Sequence, residues 1–292
     1  MSRLTITLMR ALAPLPLPVL RVLGVLLGWF LYFFAARRRR VTEINLAMCF
    51  PAEPVAARRA LARHTFIRFA QAWLDRSWLW HGSIDQLEDR LVLSGAVEQL
   101  DGSEPTVLFA PHFVGLDAGW TALALHVPRR LVTIYTDQAN KTMDQWILAG
   151  RQRRGMVLLF GRADGVKPVL SALRQGALLY LLPDMNFGPD ELLFVPFYGV
   201  SAATLPSLSR FARLGGQGGR PAKVVPVLTR LTRQGYRVQI LDPWRDFPSS
   251  DVMADTLRMN RELEAYIDMM PGQYYWVHRR FKDRPEGEPP VY

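Results

Sequence analysis

The sequence predicts an α/β sandwich: one large domain of helices and strands behind a hydrophobic N-terminal helix. Three observations predict it. Short apolar runs of strand length alternate with longer segments of helical pattern across residues 55–269. An uncharged stretch, Val22 to Ala36, stands ahead of all of them. A histidine, His112, sits where one apolar run hands over to an Ala-rich helical segment, and ligands and catalytic groups favour that place in open α/β sheets.

The N-terminal stretch, VLGVLLGWFLYFFAA, would span about 22 Å as a helix, short of the ~30 Å hydrocarbon core of a bilayer. Extending it back to Leu17 takes in Arg21, which near a helix end can reach the headgroups. Pro14, Pro16 and Pro18 mark where the helix begins. Four arginines, Arg37 to Arg40, follow at once, against Arg3 and Arg10 before it. That bias predicts an anchor with a cytoplasmic C-terminal side. A helix lying in the membrane interface has a similar composition. A cleaved signal peptide ending at Ala35-Ala36 is opposed by the arginines directly after it. The expected division is an anchor with a basic collar over residues 1–40 and a single domain over 41–292.

Within the domain, residues 41–54 form a short helix-like piece that stops at Pro51. Val55 to Trp80 has helical periodicity, with Phe66, Phe69, Trp73 and Ser77 on one stripe. Trp73, Trp78 and Trp80 suit a core or a membrane interface. Strands are expected at Leu91–Leu93, Val107–Ala110, Leu131–Tyr135, Val157–Phe160, Ala177–Leu182, Val224–Leu228 and Tyr236–Ile240. Helices are expected at Lys141–Arg154, Lys167–Arg174 and Ala254–Met269. Gly215–Gly219 is a loop and matches no nucleotide-binding pattern.

With 292 residues the chain can bury a sizeable core. Its net charge of +10 suggests a negatively charged partner: nucleic acid, anionic lipid or an acidic carrier protein. The single cysteine, Cys49, excludes an internal disulfide framework. The five histidines, at 64, 81, 112, 126 and 278, show no metal-ligand spacing, so no metal site is expected.

The candidate chemistry lies in APHFVGLDAG, where Asp117 follows His112 by five residues. On one straight helix those side chains would point about 140° apart. If His112 lies in the loop and Asp117 in the first helical turn, the loop can fold back, with Gly115 supplying backbone freedom. The pair could then act as a general base. A neutral imidazole takes a proton from a hydroxyl, and the carboxylate bonds the other ring nitrogen. Alternatively, His112 is a loop histidine satisfied by its neighbours and Asp117 a helix cap. Two more strand ends carry polar groups. Arg162 follows Val157–Gly161 and could bind a phosphate. Asp184 follows Leu181-Leu182-Pro183 and precedes Gly188.

Taken together, these stretches resemble the His-x4-Asp/Glu acyltransferases, and more closely the late lauroyl/myristoyl acyltransferases of lipid A biosynthesis. The resemblance covers nearly the whole chain: RRVTEINLAMCFP, APHFVGLDAG, the block at Arg162 with LSALRQG after it, Asp184 to Gly188, FVPFYG with Thr204, and WVHRRFKDRPEGEP. It implies a mixed sheet flanked by helices, glycerolipid acyltransferase-like. It implies transfer of an acyl chain from acyl carrier protein to a hydroxyl of a lipid A precursor, at the cytoplasmic face of the bacterial inner membrane. His112 would be the base and Asp117 its support. Arg162, Asp184 and Gly188 would bind the acceptor. The implied partners are the carrier protein, the lipid A precursor and inner membrane lipids, with no nucleic acid, no metal and no cofactor. Another membrane glycolipid or aminolipid as acceptor, a lipid hydrolase, and a non-catalytic module for anionic lipid are the alternatives.

Overall fold

A computed structural model describes residues 2–186 and 192–292. Three helices come first: α1 (Ser2–Leu12), α2 (Leu17–Phe34) and α3 (Ala36–Cys49). Arg37 to Arg40 lie in the first turns of α3. The long helix α4 (Val55–His81) follows, then α5 (Ile84–Arg90), which Ser83 and Gln86 start with a reciprocal capping box.

The sheet begins with β1 (Leu91–Gly95) and β2 (Thr106–Phe109). Helix α6 (Leu116–His126), β3 (Leu131–Tyr135), α7 (Lys141–Arg151), β4 (Val157–Gly161), α8 (Lys167–Arg174) and β5 (Leu178–Leu181) alternate after them. A hairpin of β6 (Leu193–Phe197) and β7 (Val200–Thr204) stands apart as its own two-stranded sheet. The chain closes with α9 (Ser207–Leu214), β8 (Lys223–Leu231), β9 (Tyr236–Ile240) and α10 (Val252–Asp268).

Seven strands form one sheet in the order β1-β9-β8-β2-β5-β3-β4. Its pairs are parallel except β8 with β9. The expected mixed sheet flanked by helices is therefore present. The central strands are mostly apolar because both faces are covered. Val107 and Phe109 of β2 join a core with α8, α9 and α10. Leu108 and Ala110 join another with α4, α6 and α7. Trp78 and Trp80 are fully buried in that second core, with Trp73 packed at its margin.

The apolar N-terminal stretch is α2, and it is fastened to the domain. Arg21 does not reach outward to headgroups; its Nη1 donates to both oxygens of fully buried Asp75, at 2.8 and 2.6 Å. Asp75 also accepts from Trp78 Nε1 and from the Tyr236 hydroxyl. Removing one partner of such a buried pair costs about 3–5 kcal/mol, since it strands the other charge. A turn further along, Gly24 and Gly28 let α2 approach α4 closely. A Cβ on Gly28 would lie 2.5 Å from Ile67 Cα, which is backbone and cannot yield.

Candidate active site

The site forms where β2 and β5 end side by side. The two strands are parallel and in register, Phe109 opposite Leu181, and Ala110 N donates to Leu181 O at 2.9 Å just past the strand end. Each strand then runs into a proline, Pro111 or Pro183, which closes the ladder because it has no N–H to give. The next residue on each side is His112 or Asp184. Three residues past the same register pair, they meet.

His112 Nδ1 lies 2.7 Å from Asp184 Oδ1, and the His112 backbone N–H donates to Asp184 Oδ2 at 3.0 Å. The Asp184 side chain is fully buried, and that of His112 is 15 % exposed. Burial alone would push the Asp184 carboxyl up. The charge of the His112 ring and the two hydrogen bonds outweigh it and hold the group below the usual carboxylate range. An ionised Asp184 takes the Nδ1 hydrogen and leaves the Nε2 lone pair free to accept a proton.

A segment near the C-terminus backs this loop. Tyr275 N donates to His112 O at 3.0 Å, Val114 N donates to Gln273 O at 2.8 Å, and Phe113 bridges to Tyr274 in antiparallel fashion. The Tyr275 ring lies near-parallel to the imidazole, with centroids 6.4 Å apart. Further on, His278 Nε2 lies 3.0 Å from Asn186 Oδ1, and Asn186 Nδ2 donates to Asp283 Oδ2 at 2.6 Å. The loop that carries Asp184 is thus tied to the segment that carries Tyr275. From the other side, Asn45 of α3 donates to the carbonyls of Trp276 and His278, both at 2.7 Å.

Asp117 does not occupy the place expected for it. It lies in the first turn of α6, nearly buried, and its two oxygens accept from two arginines. Arg76 Nε of α4 donates to Oδ2 and Arg151 Nε of α7 to Oδ1, each at 2.8 Å. Burial would raise this carboxyl, but the charges and hydrogen bonds of Arg151 and Arg76 hold it down to about 2. The reason for the exchange is geometric. Asp117 starts the helix behind the loop, whereas Asp184 comes off the adjacent strand at the height of His112. Gly115 is also required for a different reason than expected. Its φ of −88° is ordinary; what it supplies is room, since a Cβ would come within 2.8 Å of both the Thr229 and Tyr236 side chains.

Arg162 is exposed and opens a 3₁₀ turn, Arg162–Asp164, at the end of edge strand β4. It shares the C-terminal edge of the sheet with His112, but β5 and β3 lie between their strands. Three strand spacings put the two about 14 Å apart. Gly188 lies outside the described residues. Among the described residues, no three His, Cys, Asp or Glu side chains gather into a group that could hold a metal.

The sequence reading missed Arg76, Arg151, Tyr275 and the direct bond from Asp184 to His112. No pattern marks Arg76, one arginine among several on α4, or Arg151, which ends α7 a few residues before Arg153 and Arg154. Asp184 did leave a signal: the pattern apolar run, proline, titratable residue occurs at both 107–112 and 178–184.

Comparison with known proteins shows the family. Residues 2–283 match the family described as bacterial lipid A biosynthesis acyltransferase. The chain is 29% identical over 284 residues to the lipid A biosynthesis lauroyltransferase of Escherichia coli K12, covering 95% of this chain and 90% of that protein. It is 28% identical over 288 residues to the palmitoleoyltransferase of the same strain, with the same coverage. To the myristoyltransferase it is 29% identical over 268 residues, 90% of this chain and 80% of that one. With a match spanning nearly its full length and a histidine–carboxylate pair at the centre of the sheet edge, the chain belongs to the bacterial lipid A biosynthesis acyltransferase family.

Proposed function

We propose that this protein transfers a fatty acyl chain from acyl carrier protein to a hydroxyl of a lipid A precursor, at the cytoplasmic face of the inner membrane. The observation that carries the chemistry is the 2.7 Å contact between His112 Nδ1 and Asp184. Nε2 takes the proton of the acceptor hydroxyl as its oxygen attacks the thioester carbonyl. The tetrahedral adduct collapses, the C–S bond breaks, and the imidazolium returns the proton to the leaving thiolate. Asp184 stabilises the imidazolium while it lasts. No acyl-enzyme is formed.

Asp117 acts one step removed, by holding Arg76 and Arg151 in place. Arg162 meets a phosphate of the acceptor, and Gly188, four residues past Asp184, helps to shape the acceptor side. The acidic carrier suits a protein of net charge +10. Mass measurement of lipid A tests the proposal in cells lacking the protein, restored with wild type or with His112→Ala. One acyl chain should be missing, restored by wild type and not by the variant. Unchanged lipid A in the deleted cells would overturn the proposal.

A further inference from the structure

We infer that α2 docks side-on, in the plane of an anionic lipid surface, and does not cross the bilayer. The inference rests on the membrane location proposed above and specifies how it is achieved. Its first ground is the inner face of the helix. Arg21, Gly24, Gly28 and Tyr32 form one stripe at helical spacing. Arg21 is bonded to buried Asp75 at one end, Tyr32 packs edge-on against Phe66 at the other (centroids 5.6 Å apart), and the two glycines lie against Gln71 and Ile67 between them. The helix is therefore joined to α4 along its whole length.

The outer face is the second ground. Val19, Val22, Leu26, Phe30 and Phe33 follow one another at spacings of three and four, and each is 43–62% exposed. This is a continuous apolar stripe parallel to the helix axis. Lipid that covers it must lie along the helix. A spanning helix is surrounded by hydrocarbon on all sides, so α2 would have to leave α4 or take it along. Helix α4 cannot follow: Arg58, Arg59, Arg63 and Arg68 lie on it, and the Arg63 guanidinium sits 6.0 Å from the Trp29 ring centre.

The rim identifies the occupant as anionic lipid. Trp29, Phe33 and Phe34 crowd the C-terminal end, and exposed Arg37, Arg38 and Arg40 come directly after. Aromatic rings beside arginines are the composition of a headgroup boundary. A second copy of a chain with net charge +10 would set like charges against each other there. The same end leads to the site. Arg38 donates to Val277 O, and Asn45 to Trp276 O and His278 O, in the segment that backs the His112 loop. Side-on docking thus brings the headgroup layer to the side of the molecule where a lipid acceptor must enter.

The test uses the full chain in vesicles of phosphatidylethanolamine and phosphatidylglycerol. Cys49 is buried, so a label on an added cysteine reports that position alone. Environment-sensitive labels at Val22→Cys, Leu26→Cys, Phe30→Cys and Phe33→Cys are quenched by lipids carrying shallow or deep spin labels. Side-on docking predicts the same shallow depth at all four. A spanning helix predicts depths staggered over about 16 Å, which would overturn the inference and leave the membrane location standing. A paired variant, Leu26→Gln with Phe30→Gln, changes two exposed side chains and gives up only a ring contact of Phe30 with Phe34, itself exposed. It should weaken vesicle binding at least tenfold while the melting temperature and turnover of detergent-dispersed substrate stay unchanged. Undiminished binding by that variant would overturn the inference. Failure of the wild type to bind such vesicles would overturn the membrane location as well.

Discussion

Asp184 stands at the height of His112 on the neighbouring parallel strand, 72 residues away in the chain and joined to it by two hydrogen bonds. One bond holds the ring and the other holds the backbone. Replacing Asp184 with Asn should separate these roles. The amide oxygen can still accept from the His112 N–H, so the loop keeps its path. The ring loses the charge that stabilises its protonated form. The expected result is a fall in kcat of ~10³-fold with little change in acceptor KM. Steady-state kinetics on purified wild type, Asp184→Asn and Asp184→Ala would check it; near-wild-type kcat for Asp184→Asn beside a large loss for Asp184→Ala would instead point to a purely structural role.

The Asp117 carboxyl, held near 2 against an ordinary 3.8, makes stability depend on acid. Its pKa is depressed by folding, so its contribution is complete above about pH 4 and disappears as pH falls toward 2. The difference is worth about 2 kcal/mol. Urea unfolding of Asp117→Asn at pH 6 should show a loss of at least that size, because two partly buried guanidiniums lose their partner. Between pH 4 and 2 the variant should lose less further stability than the wild type.

His278 carries the opposite polarity of charge and the same sign of effect. Burial, with His112 and Arg280 nearby, lowers its pKa to about 4 from the ordinary 6.5. The folded protein therefore prefers the neutral ring. Stability from this group is complete above pH 6.5 and declines as pH falls toward 4, by about 3 kcal/mol in all. His278→Asn should flatten that part of the stability curve. Thermal unfolding from pH 7 down to pH 4 would measure it, and an unaltered curve would mean that the ring is hydrated.

Arg162 is three strands from His112, too far to touch the reacting atoms. As a phosphate contact it should affect binding of the acceptor more than the chemical step. Arg162→Ala should raise acceptor KM about tenfold, a change of about 1.4 kcal/mol, with kcat nearly constant. Arg162→Lys should recover only part of it, since an ammonium cannot form the two parallel bonds of a guanidinium. A drop in kcat without a change in KM would contradict this role.

Much of the sheet was legible because its signal is local. Leu131–Tyr135, apolar but for Thr133, and Tyr236–Ile240, where buried Tyr236, Val238 and Ile240 alternate with Arg237 and Gln239, stand out with their actual bounds. Helix α8, Lys167–Arg174, is equally plain, with Pro168 near its start and Gly176 just past its end. The β6–β7 hairpin was not legible. Its Phe194 and Pro196 face outward, and Pro196 interrupts the alternation that marks a strand. The partner of His112 was hidden by a subtler effect. Asp117 is near in sequence and Asp184 is not, but parallel strands bring together residues separated by a crossover. Strand order decides which carboxylate arrives, and strand order is a property of the whole chain. The arginines on Asp117 escaped for the same reason, one from α4 and one from α7.

The bonds from Asn45 to Trp276 and His278 have a consequence in time. Asn45 leaves the ribosome 231 residues before Trp276. At the usual 5–20 residues per second that is an interval of roughly 10 to 50 s. The apolar face of α2 emerges at the beginning of it, and the segment that backs the His112 loop only at its end. Tyr292, whose hydroxyl donates to Asn45, arrives later still. With the membrane location proposed above, the growing chain would have the means to find lipid before it has the means to turn over, and the catalyst would be completed beside its substrate.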